Sequence, residues 1–135
     1  MDIPTKYQAE GESFEIRINR DRQLAHIVFE GEIGMVEVNN AFFALIDHPS
    51  FKYNMNVCND YTDAILIVSV QALQEHANVV AQHSEQRGSD YKLAMVSNET
   101  FSNAFLHLYK VRISKTNVDS EIFGSTKSAL RWLES

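Results

Sequence analysis

From Phe14 onward the chain alternates, with Phe14, Ile16 and Ile18 interleaved by Glu15, Arg17 and Asn19. Period-two alternation predicts a strand with one face buried and the other in water. Arg20-Asp21-Arg22 makes a polar turn, and Leu24 to Phe29 is apolar on both faces, so it belongs deeper in a sheet. The two runs predict an antiparallel hairpin. Glu30-Gly31-Glu32-Ile33-Gly34 breaks the second strand and opens a helix from about Met35 to Ile46. That helix ends at His48-Pro49, because a residue before proline is pushed out of helical geometry. A strand near Asn56–Asp60 then runs into an acidic turn carrying Asp63 and a helix from Ser69 to Ser84, stopped at Gln86-Arg87-Gly88-Ser89. A strand Tyr91–Val96 precedes a helix near Thr100–Tyr109 with Asn98 as cap, and a strand Glu121–Phe123 precedes a last helix Thr126–Leu133 capped by Ser125. The order ββαβαβαβα predicts an α/β fold, a mixed sheet of about five strands whose later members are parallel and joined by helical crossovers. Residues 1–12 read as a polar lead segment to this single domain.

Helical phase, at about 100° per residue, assigns faces. In the first helix Met35, Val38, Phe42, Leu45 and Ile46 share the sheet-facing side, with Val36 and Phe43 on another flank. The second helix turns Val70, Leu73, Ala77, Val80 and Ala81 inward. The third turns Phe101, Ala104, Phe105 and Leu108 inward and leaves Leu106 on another side. The extra apolar flanks imply helix-against-helix packing, or alternatively a homodimer surface or a groove for an apolar ligand.

Composition narrows the class. At 135 residues, 44% hydrophobic and 22% charged, the chain is long enough to bury a core without disulfides or metals. A net charge of -6 argues against a nucleic-acid surface. The basic groups Arg17/Arg20/Arg22 and Lys110/Arg112/Lys115 are interrupted by polar or acidic neighbours and read as solvated surface. The one cysteine, Cys58, lies within an apolar strand, where a buried inert thiol is expected. The start Met-Asp-Ile-Pro-Thr-Lys-Tyr-Gln lacks the apolar core of a signal peptide, and the apolar run Ala64–Val68 is far too short to span a bilayer. A cytoplasmic location is the expectation.

Chemistry is sparse. Asp60 and Asp63 could form an acid/base pair or hold a metal; equally, Asp63 caps a turn and Asp60 accepts backbone hydrogen bonds at a strand end. His76 and His83 lie about 10 Å apart along one helix, too far to share a metal ion, and a solvated helix edge accounts for them. His26, within a strand, is expected to be satisfied by a neighbour. No Gly-x-Ser-x-Gly elbow and no glycine-rich phosphate loop occurs. Neither a catalytic set, a metal site nor a cofactor is expected. Trp132 reads as a plug fastening the last helix to the sheet.

Four places resemble the SpoIIAA-like group of STAS-type domains, small bacterial proteins named for anti-sigma-factor antagonists. They are Phe29-Glu30-Gly31-Glu32-Ile33, His48-Pro49-Ser50-Phe51, Val57 to Ala64, and Ile122-Phe123-Gly124-Ser125 leading to Ala129-Leu130-Arg131-Trp132-Leu133. The resemblance implies a non-catalytic regulatory module that switches partners when a serine after the third strand is phosphorylated, adding up to about two negative charges. Ser69 stands at that place in Ile67-Val68-Ser69-Val70, without the flanking acid and glycine of the switch proteins, and a plain helix cap explains it equally well. The group is also similar in sheet layout to lipid-transfer domains of the CRAL-TRIO type, which implies a small apolar or lipid-like ligand as the alternative. Two expectations follow. The first is a protein-interaction module, as a homodimer or with a regulatory partner, using Asp60, Asp63 and Ser69. The second is a carrier or sensor holding its ligand between the first and third helices, near Val36, Phe43 and Leu106.

Overall fold

The computed structural model describes residues 5–7 and 14–135. Six strands and five helices follow one another as β1 (Thr5–Tyr7), β2 (Phe14–Asn19), β3 (Leu24–Ile33), α1 (Met35–Asp47), β4 (Asn56–Leu66), α2 (Val70–Gln82), α3 (Ser84–Arg87), β5 (Lys92–Val96), α4 (Thr100–Ile113), β6 (Asp119–Phe123) and α5 (Thr126–Leu133). The sheet runs in chain order, β1-β2-β3-β4-β5-β6. Its first two pairings are antiparallel and its last three parallel, so the predicted hairpin and parallel crossovers are both present. The polar lead segment departs from expectation at Thr5–Tyr7, which adds a strand antiparallel to β2; the rest of that segment lies outside the described residues.

Crossovers of one hand that step steadily along a sheet put their helices on one face. Accordingly α1, α2 and α4 cover one side, where Ile16, Ile27, Phe29, Val57, Leu93 and Met95 meet Leu45, Leu73 and Leu106 in the main core. The other face is covered by α5, whose Ala129 and Leu133 pack on Leu24, Cys58, Ala94 and Val96. Trp132 lies against Phe123 at 5.6 Å, tying α5 to the last strand as expected.

Two breaks expected from the sequence are absent. Glu30–Ile33 and Thr62–Leu66 do not leave the sheet; they continue β3 and β4 as a paired extension, Glu30 opposite Asp63 and Ile33 opposite Leu66. A bulge between Val28 and Glu30 absorbs an extra residue of β4, and Gly31 takes the left-handed φ of 85°. Tertiary packing holds the extension in place. Ile33, Ala64 and Leu66 join the main core, and the Leu66 N–H donates to Ser102 Oγ of α4 at 2.9 Å.

The phase of α4 also differs. Ser102, Leu106, Tyr109 and Ile113 are its buried residues, whereas Phe101 and Leu108 are exposed. Its first turn is capped by Glu99, not Asn98, whose carboxylate accepts from Phe101 N and Ser102 N. Polar Ser102 and amphipathic Tyr109 do not register as core in an apolar count, and that moved the predicted face. In α2 Leu73 and His76 are buried, while Val70 and Ala81 are exposed.

Candidate ligand cavity and the Asp60 network

Strand alternation sends Asp60 and its β4 neighbours to opposite faces of the sheet. On the α5 side Asp60 is buried and collects donors from three elements. His26 Nε2 of β3 lies 2.8 Å from Oδ2, and the Thr126 hydroxyl at the start of α5 donates to the same oxygen at 2.7 Å. The Thr62 N–H donates to Oδ1 at 3.0 Å, and its hydroxyl does so as well. Burial alone would raise the carboxyl, but hydrogen bonds from His26, Thr62 and Thr126 outweigh it and hold the group well below the usual carboxylate range. Asp60 is therefore an ionised acceptor that ties α5 to the strand ends, with His26 satisfied as expected. Asp63, two strand positions beyond the bulge from Tyr61, is exposed and does not join it. Cys58, under α5, is fully buried and its thiol is pushed up to about 12, first by burial and then by the charge of Asp60.

Ser69 is the N-cap of α2, its hydroxyl accepting from Ala72 N at 3.0 Å. Phe43 is 37% exposed and rests edge-on against His83 at 5.0 Å, whereas Leu106 is buried. The two are not neighbours across a groove, because α2 packs against both α1 and α4 and stands between them. Val36 is 65% exposed on the first turn of α1.

Beneath α2, on the helix-covered face, lies a cavity of about 60 Å³. Leu106 lines it, as do Phe29, Leu73 and Leu93. Its ionisable lining is unusual for a core: Tyr61, His76, Arg87, Tyr91 and Tyr109, with no Asp, Glu or Lys. His76 is buried, not a solvated edge; its ring bonds Asn39 Oδ1 through Nδ1 at 2.6 Å and touches Tyr109 at 5.6 Å. Burial pushes its pKa down to about 4, so it is neutral near pH 7. Burial likewise pushes the Tyr61 and Tyr109 phenols up, keeping them protonated.

Arg87, within the predicted helix stop, is the largest fully buried side chain described, 1% exposed. Gly88 makes this geometry feasible. Its φ is 89°, and a Cβ there would sit 2.0 Å from Asn54 Oδ1. The loop before β4 thus clamps the residue after Arg87, and the Asn54 N–H donates to Arg87 O at 3.1 Å. The guanidinium donates from Nη2 to Met55 O at 2.7 Å and stacks over Tyr91, 3.6 Å from the ring centroid. Nη1 is buried without a hydrogen-bond partner, and no ion pair among the described residues includes Arg87.

The two polar faces end at one apolar rim. Val36, Ile65, Ile67, Val70 and Phe101 are exposed, and lie at the carboxyl end of β4, in the link that follows it or in the first turns of α1, α2 and α4. Among the described residues no helix is long and apolar enough to cross a membrane, and no cluster of three or more His, Cys, Asp or Glu could hold a metal ion.

No family model matches the chain, and no curated protein does either. Among solved structures, an uncharacterized protein of the DUF3478 family with a SpoIIAA-like fold, from Shewanella loihica, is similar over 98% of this chain and 93% of its own at 12% identity, with a TM-score of 0.48.

Proposed function

We propose that this protein binds a small, largely apolar molecule in the cavity beneath α2, as a carrier or sensor that performs no chemistry on it. The carrying observation is an apolar pocket of about 60 Å³ into which neutral polar groups and one cation converge, in a core that would otherwise be close-packed. At roughly 10–15 Å³ per water-sized position, such a space takes about four to six non-hydrogen atoms. A short molecule fits that measure and a long acyl chain does not. The test is methyl NMR of Leu73, Leu93 and Leu106 during titration with n-butanol, butyramide and sodium butyrate. Shifts centred on those methyls with at least one probe are expected; silence with all three sinks the reading.

A second reading is supported by the apolar rim: self-association through the carboxyl end of the sheet. Phe101, 72% exposed, would be its centre. Sedimentation of a concentration series should then show a dimer that Phe101→Ser converts to monomer. A wild-type chain that stays monomeric at high concentration ends this reading.

A further inference from the structure

We propose that the cavity's ligand is a short-chain monocarboxylate whose carboxylate is received by Arg87. The inference rests on the cavity reading above and adds the chemical class of what is bound. Four observations converge on it. Arg87 lines the cavity and is almost completely withdrawn from solvent. One of its terminal nitrogens already has a carbonyl acceptor, Met55 O, whereas Nη1 has none. No acidic side chain lines the cavity, so nothing there balances the guanidinium. The remaining ionisable lining is neutral, since burial keeps His76 unprotonated near pH 7 and the Tyr61 and Tyr109 phenols protonated.

A buried guanidinium cannot shed its proton as a lysine can, and an unpaired buried charge is strongly unfavourable. Stacking on Tyr91 and the bond to Met55 O offset part of this, but neither supplies a negative charge. A planar anion with two oxygens matches the guanidinium's fork, and a charge-assisted pair in a dry site is far stronger than one in water. Charge balance calls for one negative charge, not two. The size of the cavity limits the remainder to a few carbons, and the leucines and Phe29 around it select an apolar tail. These constraints describe an unbranched or lightly branched acid near butyrate in size.

The decisive experiment compares sodium butyrate with the near-isosteric neutral butyramide, at matched ionic strength, by the same methyl shifts and by calorimetry. Butyrate is expected to bind at least about tenfold more tightly, the usual margin for a hydrogen bond that gains a full charge. Arg87→Met should abolish that preference while leaving butyramide binding in place, and replacing a buried charge by an apolar side chain often leaves folding intact. Were that variant not to fold, the wild-type comparison decides alone. Equal binding of butyrate and butyramide would overturn the carboxylate inference and leave the cavity reading standing. No binding of either probe or of butanol would remove both. Preference for hexadecanoate over butyrate would also overturn it, because a long chain cannot be accommodated in the space described.

Discussion

The two faces of the sheet each bury polar side chains, but they use them differently. Under α5, Asp60 accepts from His26, Thr62 and Thr126, so an ionised group is surrounded by donors drawn from three separate elements. Under α2, Arg87 is an equally buried ion whose capacity is only partly used. A carboxylate saturated by protein donors has no reason to meet a ligand; its work is to fix α5 and the strand ends. A cation left with a free N–H beside a cavity has capacity to spare. Equal burial thus has opposite meanings on the two faces, and what separates them is whether the hydrogen-bonding inventory closes.

The largest expected effect tests the closed side. Asp60→Ala would leave the part-buried His26 ring and Thr126 hydroxyl without their shared acceptor. Loss of one partner from such a network costs about 4 kcal/mol, read as a lowered urea midpoint, while butyrate binding on the opposite face should be unchanged. A loss below about 1 kcal/mol would show that the network is not the structural tie we describe.

Next in size is the response of the open side to pH. His76 is held neutral, its pKa about 4 in the folded chain against about 6.5 when unfolded. Between these values the unfolded chain binds a proton that the folded one refuses, so stability falls as pH falls through the window from 6.5 to 4. The full difference is at most about 3 kcal/mol. Urea titrations at pH 7 and pH 4.5 should show this loss in the wild type and a smaller one in His76→Gln; identical pH dependence in both would refute the assignment.

The smallest effect concerns Ser69, which belongs to neither face. As a helix cap alone, Ser69→Ala should lower stability by about 1 kcal/mol. Butyrate binding and sedimentation should not change. A change in oligomeric state on this substitution would connect Ser69 to the apolar rim and strengthen the interaction-module reading.

Much of the architecture was readable along the chain. The alternation at Phe14–Asn19, the proline after His48 and the cap at Ser125 act through near neighbours, and each element they predict is present. The errors arose where distant contacts overrule local preference. Gly31 and the acidic stretch at Asp63 look like turns, yet Ile33 and Leu66 are drawn into the core and keep both segments in the sheet. Polar residues buried for a reason were the other blind spot, because a hydrophobic pattern counts Ser102 and His76 as surface.

By itself the sequence determined the α/β class, the order of the strands and the four longer helices after Phe14 (though not the short α3, which forms where a helix stop is predicted), the burial of Cys58 and the capping of α2 by Ser69, all of which depend on periodicity or on residues a few positions apart. Tertiary structure alone decided that Arg87 is buried beside Tyr91 and Tyr109, that Asp60 and Asp63 part company across a bulge, and that Phe43 and Leu106 are separated by α2. The physical reason is the same in each case. A charge is exposed or buried, paired or unpaired, according to which distant segments close around it, and no local pattern carries that information.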